Sequence, residues 1–156
     1  MEVLVISELK VSTEKKVEIN CPFCNIDKSD KNITHVSELE FGSVFLNFNQ
    51  SYLGRCLYIP EYHFNSLNEI SEHLFLNFSK EVNFVARNIQ ELFNADLVNV
   101  AMLSNKVSHI HWHIIPRYTE DENWGFAPWP MNEKILPDSE MKLLREKIKL
   151  KLINAC

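Results

Sequence analysis

His109-Ile110-His111-Trp112-His113-Ile114-Ile115-Pro116-Arg117 is the stretch on which the reading of this chain turns. Three of the six histidines fall within its first five residues, separated by bulky apolar side chains. Side chains of an extended strand alternate between faces, so His109, His111 and His113 share one face at steps of roughly 6.5–7 Å. Ile110, Trp112 and Ile114 then point the other way, into a core. Imidazole titrates near neutrality, so such a row can set a neutral nucleophile beside a proton donor. It can also ligate a transition metal through a neutral nitrogen. Side chains two apart on one strand run parallel and do not converge, which argues against a metal held by these three alone. The strict alternation argues against incidental surface histidines.

Outward from this strand, residues 97–103 read as a neighbouring strand, joined to it by the short turn Ser104-Asn105-Lys106 and therefore antiparallel. Two earlier strands are expected over 43–48 and 55–60. Ser66 with Glu69 fits a capping box. Leu67, Ile70, Leu74, Phe78, Val82, Val85, Ile89 and Leu92 then recur at helical steps, so a long helix is expected to run to about Phe93. A second helix is expected over 138–154, with Met141, Leu144, Ile148 and Leu152 on its inner face. Its Lys142, Arg145, Lys147, Lys149 and Lys151 suit a solvated face near a helix C-terminus. Residues 27–32 read as a polar turn, and 1–20 as a leading strand or short helix on the domain edge. The expectation is a single α+β domain over 1–156: an antiparallel sheet of about five strands, one long helix and a C-terminal helix.

Composition narrows the function. The 156 residues are 46% apolar, 24% charged and 11% aromatic, as in one ordinary globular domain. A net charge of −5 argues against a nucleic-acid partner. Neither a basic, apolar leader nor a run of about 18 apolar residues is present, so no membrane partner and a cytoplasmic location are expected. The only glycines are Gly42, Gly54 and Gly125, too scattered to write a G-x-G-x-x-G or G-x-x-x-x-G-K phosphate cradle. A nucleotide would have to be held by another device.

The histidine strand resembles the signature of the histidine triad (HIT) family of nucleotidyl hydrolases and transferases. Upstream, Cys21-Pro22-Phe23-Cys24-Asn25-Ile26, Phe45-Leu46-Asn47-Phe48, Gly54-Arg55 and Ile59-Pro60-Glu61-Tyr62-His63 are similar to the family's further motifs, in the same order. The resemblance implies that His111 attacks the α-phosphorus of a purine nucleotide, forming a nucleotidyl-histidine that water hydrolyses. It also implies that His113 stabilises the phosphate or leaving group, that Asn47 contacts the ribose, and that Asn105 and Lys106 contact phosphate. Substrates would be phosphoanhydrides such as diadenosine tetraphosphate, or phosphoramidates, with Mg²⁺ accompanying a polyphosphate. A homodimer is implied as well. Transfer of the nucleotidyl group to phosphate or a sugar phosphate, or a low-activity nucleotide-binding scaffold, are the other outcomes. Arg55 stands where the family commonly has histidine; it either keeps a phosphate-binding cation or pairs with a surface carboxylate.

Some members of that family carry a structural zinc, and the matching residues here are Cys21, Cys24, His63 and His109. Such a set suits tetrahedral Zn²⁺. The rival reading of Cys-Pro-Phe-Cys is a thioredoxin-like redox pair, which should open a helix. Cys56 sits in an apolar strand pattern and is expected in the core, while the terminal Cys156 is expected to be exposed. The loop Asn123-Trp124-Gly125-Phe126-Ala127-Pro128-Trp129-Pro130 is expected to cover a nucleobase or partner subunit, or to pack the C-terminal helix onto the sheet.

Overall fold

A computed structural model describes residues 17–29, 34–129 and 132–155. Most of the N-terminal segment, Cys156 and Pro130 lie outside them. Alternation and helical periodicity assemble five strands and two helices. Strand β1 spans His35–Glu38, β2 Gly42–Leu46, β3 Cys56–Pro60, β4 Leu97–Met102 and β5 Trp112–Arg117. Helix α1 spans Glu72–Phe93 and α2 Asp138–Ile153. The strands form one antiparallel sheet in the order β1-β2-β3-β5-β4. The catalytic candidates therefore lie on and just before β5, inside the sheet, between β3 and the edge strand β4.

Both helices contribute to one apolar layer. Val44 and Leu46 of β2, Cys56 and Tyr58 of β3, and Ile110, Trp112 and Ile114 meet Leu74, Phe78, Val82, Val85 and Ile89 of α1. Met141, Leu144, Ile148 and Leu152 of α2 complete the cluster. Each such side chain contributes about 1.5–3 kcal/mol when fully buried. The expected inward side of the histidine strand is thus the observed one. Cys56 is indeed a core residue, and burial pushes its thiol up to about 12. Among the described residues no helix is long and apolar enough to cross a membrane.

Two local expectations need correction, and one strand was not expected. The capping box at Ser66 does not start the long helix: Leu67–Glu69 make one 3₁₀ turn, and Ile70 is extended at φ −89°, ψ 132°. Burying Ile70 draws the chain out of helical geometry, while Leu67 stays 48% exposed. Glu69 instead accepts from the Asn65 backbone N–H at 3.2 Å. The cap is Ser71, whose hydroxyl accepts from the Leu74 N–H at 3.3 Å, and Asn94 closes the helix in the left-handed region. Strand β1 had no sequence signal, since Val36 is its sole apolar residue. Finally, the β5 ladder opens at Trp112, three residues after His109.

Candidate active site and metal centre

His109 and His111 precede the ladder but keep the alternation, because Ile110 is buried and its N–H bonds to the Phe64 carbonyl at 2.8 Å. The His111 ring turns its Nδ1 to the His109 carbonyl at 2.8 Å. A carbonyl only accepts, so the proton sits on Nδ1 and the lone pair on Nε2. His111 is only 7% exposed, and burial holds its pKa below the ordinary histidine value, against the pull of that hydrogen bond. It is a neutral imidazole with a basic Nε2.

His113 has the opposite tautomer. Arg55 Nη2 lies 3.3 Å from His113 Nδ1, and a guanidinium only donates, so Nδ1 accepts and Nε2 carries the proton. Burial, then the Arg55 charge and His111, push the His113 pKa down to about 4. The two rings stand edge to face with centroids 5.1 Å apart. One neutral imidazole thus offers a lone pair, while its neighbour offers an N–H. That arrangement suits attack on an electrophilic centre with hydrogen-bond stabilisation of the charge that develops.

Arg55 reaches His113 because of Gly54, which turns at φ +91°; a Cβ there would fall 2.5 Å from the Phe93 ring. The guanidinium is buried, and among the described residues no carboxylate lies within ion-pair distance of it. The exposed Glu133 carboxylate acts on the Arg55 charge from beyond that distance. The Arg55 Nε finds no partner among the described residues. Asn47 stands beside it, its N–H bonded to the Arg55 carbonyl at 3.1 Å, while its Oδ1 accepts from the Asn49 N–H at 2.9 Å. Asn105 and Lys106 are exposed, and among the described residues no hydrogen bond ties either to the histidines.

Among the described residues, the tryptophans of the loop make their ring contacts with Arg55, His113 and Arg117. Trp129 lies over the Arg55 guanidinium at 5.4 Å and edge-on to His113 at 5.4 Å. Arg117, 1% exposed, organises the loop. Its Nε donates to Asp121 at 2.7 Å, Nη1 to Asn99 Oδ1 at 2.8 Å, and Nη2 to the Asn123 carbonyl at 2.9 Å. Tyr52 and Trp124 supply ring faces at 5.1 and 5.9 Å. Sequence reasoning missed this role of Arg117; its partners are scattered through the chain, and only its apolar, strand-terminal position hinted at burial.

The four expected metal ligands do come together. Cys21, Cys24, His63 and His109 each present one donor atom, all within 4.8 Å of one another. His109 Nδ1 lies 3.4 Å from Cys21 Sγ and 3.6 Å from Cys24 Sγ, and His63 Nδ1 lies 3.3 Å from Cys24 Sγ. Tetrahedral Zn–S and Zn–N bonds would separate sulfur from nitrogen by about 3.6 Å. The second nitrogens face oxygens: His109 Nε2 donates to the Pro60 carbonyl at 3.1 Å, and His63 Nε2 is 3.3 Å from Asn65 Oδ1. Both Nδ1 lone pairs are thereby left for a metal, the usual orientation of ligating histidines. The group could hold a metal ion, with every tetrahedral position filled by protein. Cys21 to Asn25 is a turn and opens no helix, which removes the basis of the redox reading.

Comparison with known proteins agrees with this geometry. The HIT domain family model matches residues 29–120. Adenosine 5'-monophosphoramidase hnt1 of Schizosaccharomyces pombe is 30% identical over 135 residues, 86% of this chain and 99% of that protein. Adenosine 5'-monophosphoramidase HNT1 of Saccharomyces cerevisiae is 28% identical over 130 residues, 80% of this chain and 78% of that protein. A Zn-bound histidine triad family protein from Mycobacterium smegmatis shares the fold, with TM-score 0.65 and 24% identity, covering 87% of this chain and 95% of that one.

Proposed function

The chain belongs to the HIT domain family, and from that premise we propose that it is a nucleotide hydrolase of phosphoramidate type, cleaving at the α-phosphorus. The opposed tautomers of His111 and His113 carry this reading. The His111 Nε2 lone pair attacks the α-phosphorus, and the bond from phosphorus to the leaving nitrogen breaks. That nitrogen takes a proton from solvent and departs as ammonia; the attacking water returns a proton in the second step. His113 Nε2–H steadies the oxygen on which charge develops. Water then cleaves the phosphorus–Nε2 bond, releasing a nucleoside monophosphate and restoring the imidazole. Neutral imidazole suits both steps, since it needs no deprotonation to attack and leaves as a neutral group.

Asn47 contacts the ribose as donor through its amide, its Oδ1 being taken by the Asn49 N–H. Arg55, buried with no carboxylate within ion-pair distance among the described residues, and Lys106 with Asn105 take the phosphates. Arg55 also favours a second reading of the leaving group as phosphate, as in diadenosine tetraphosphate. Zinc in the Cys21, Cys24, His63, His109 set is supported by the donor spacing and the outward hydrogen bonds of both imidazoles. A homodimer is supported by edge strand β4, which among the described residues pairs on one side only and exposes Leu97 and Val100, with Leu103 just beyond it.

Adenosine phosphoramidate and diadenosine tetraphosphate, each with and without added phosphate, separate these readings. Wild type should release AMP from the phosphoramidate, and His111→Ala should lose about a thousandfold or more of that rate. Equal, negligible turnover by both proteins on both substrates would overturn the enzyme reading. Nucleoside diphosphate appearing only with added phosphate would make the protein a phosphorylase.

A further inference from the structure

Phe23 stands between the two cysteines of the metal group, yet its ring reaches the active-site histidines. It lies edge-on to His111 with centroids 4.9 Å apart and planes at 82°, and to His109 at 5.9 Å and 73°. The His111 ring meets three restraints: the His109 carbonyl on Nδ1, the His113 ring and the Phe23 ring. Two of these belong to the metal group or are carried by it. His109 is a ligand, and Phe23 is flanked by ligands.

Among the described residues the segment around Phe23 is held to the body by Lys28, which pairs with Glu61 at 3.3 Å, and otherwise through its thiols. Between Glu18 and Asn25 its hydrogen bonds are local. Cys21 N–H donates to the Glu18 carbonyl, Asn25 N–H to the Cys21 carbonyl, and Asn25 Nδ2 to the carbonyls of Ile19 and Cys21. The polar contacts from this stretch to the body run from the Cys21 and Cys24 thiols to His109 and His63. A metal joining those four atoms would fix the turn, and with it the Phe23 ring, on the sheet.

We propose that Phe23 is a positioning residue for His111, held against that imidazole by the metal its neighbours bind. The proposal rests on His111 being the nucleophile. The hydrogen bond to the His109 carbonyl selects the tautomer but leaves the ring free to rock about it. The Phe23 edge contact on one flank, with His113 on another, limits that rocking and keeps Nε2 aimed at the α-phosphorus. Aim matters because misplacement of a reacting group by about 1 Å can cost about a hundredfold in rate.

The test uses the metal-loaded full chain as wild type, Phe23→Ala and Phe23→Leu. Metal content, kcat and KM for adenosine phosphoramidate, and the His111 Nδ1–H signal in ¹⁵N-histidine NMR are measured on each. Phe23→Ala should keep its metal and a KM within about twofold, while kcat falls about tenfold to a hundredfold and the His111 signal broadens. Phe23→Leu, which refills the apolar contact, should recover most of both. Chelating the wild type should broaden the same signal, and chelating Phe23→Ala should add nothing further. An unchanged kcat and a sharp His111 signal in metal-loaded Phe23→Ala would overturn the proposal. So would a chelated wild type whose His111 signal does not move. If Phe23→Ala fails to fold, the smaller truncation Phe23→Val decides: a lowered kcat with a broadened His111 signal supports the proposal, and wild-type values for both overturn it. Full activity of His111→Ala would instead refute the nucleophile assignment, while the NMR comparison would still judge whether Phe23 and the metal hold the ring.

Discussion

Two irregular segments meet the histidine strand, and they are held there by different means. The Cys21–Cys24 turn reaches His109 and His111 through thiols and a phenyl ring, and a metal ion would be its cross-link. The loop after β5 reaches His113 through Trp129 and is organised by Arg117. A buried guanidinium with five donors in a planar fork can tie several loop carbonyls and side chains at once. A tetrahedral metal would do the same for four side chains otherwise joined only by weak thiol–imidazole contacts. Neither segment needs secondary structure to be placed accurately. One would depend on metal supply, and the other draws on side chains and carbonyls of the chain itself.

The contrast is first broken or kept by comparing chelation with Arg117→Ala. Truncating Arg117 strands Asp121, Asn99 and the Asn123 carbonyl in a buried setting and should cost about 3–5 kcal/mol in urea unfolding. The wild type should also lose stability on chelation, because metal bound to the folded state alone shifts the unfolding equilibrium. The two anchors share no partner, so the losses should add within about 0.5 kcal/mol. A clear excess or deficit when both are applied would show that the two segments are one unit.

A smaller effect sharpens the Arg117 side through pH. The His113 pKa is pushed down to about 4 by burial, with Arg55 adding to it. As pH falls below the ordinary histidine value of about 6.5, the unfolded chain takes up a proton at His113 and the folded protein does not. Stability is therefore lost across the window from about 6.5 down to about 4. Activity should persist into the same window, with the acid limb of kcat/KM below pH 6.5. Substituting Arg55 by Met should move the His113 contribution to higher pH, read by histidine NMR titration; no movement would remove Arg55 from the account.

The sequence made one of these segments readable and hid the other. Period-two alternation with bulky apolar residues reveals which way His109, His111 and His113 face, because a slip of one residue would turn them into the apolar layer beneath α1. A C-x-x-C pair likewise announces a shared ligand, and resemblance to a known family supplied His63 and His109 as its partners. Arg117 announces nothing: its partners Asn99, Asp121 and Asn123 come from a strand and a loop, and only the fold brings them to one guanidinium. The start of α1 was misread because local capping preference at Ser66 lost to the burial of Ile70. Strand β1, with Val36 alone to mark it, is a strand because β2 offers it an edge. Asn105 and Lys106 rest on resemblance, and the structure leaves both in an exposed loop.

The central claim is that His111 carries the nucleotidyl group. Quenching wild type in alkaline denaturant during turnover of adenosine phosphoramidate, followed by peptide mass spectrometry at alkaline pH, tests it most directly. The account predicts an adenylyl adduct on His111, absent from His111→Ala. An adduct on a different residue, or undiminished AMP release by His111→Ala, would contradict it.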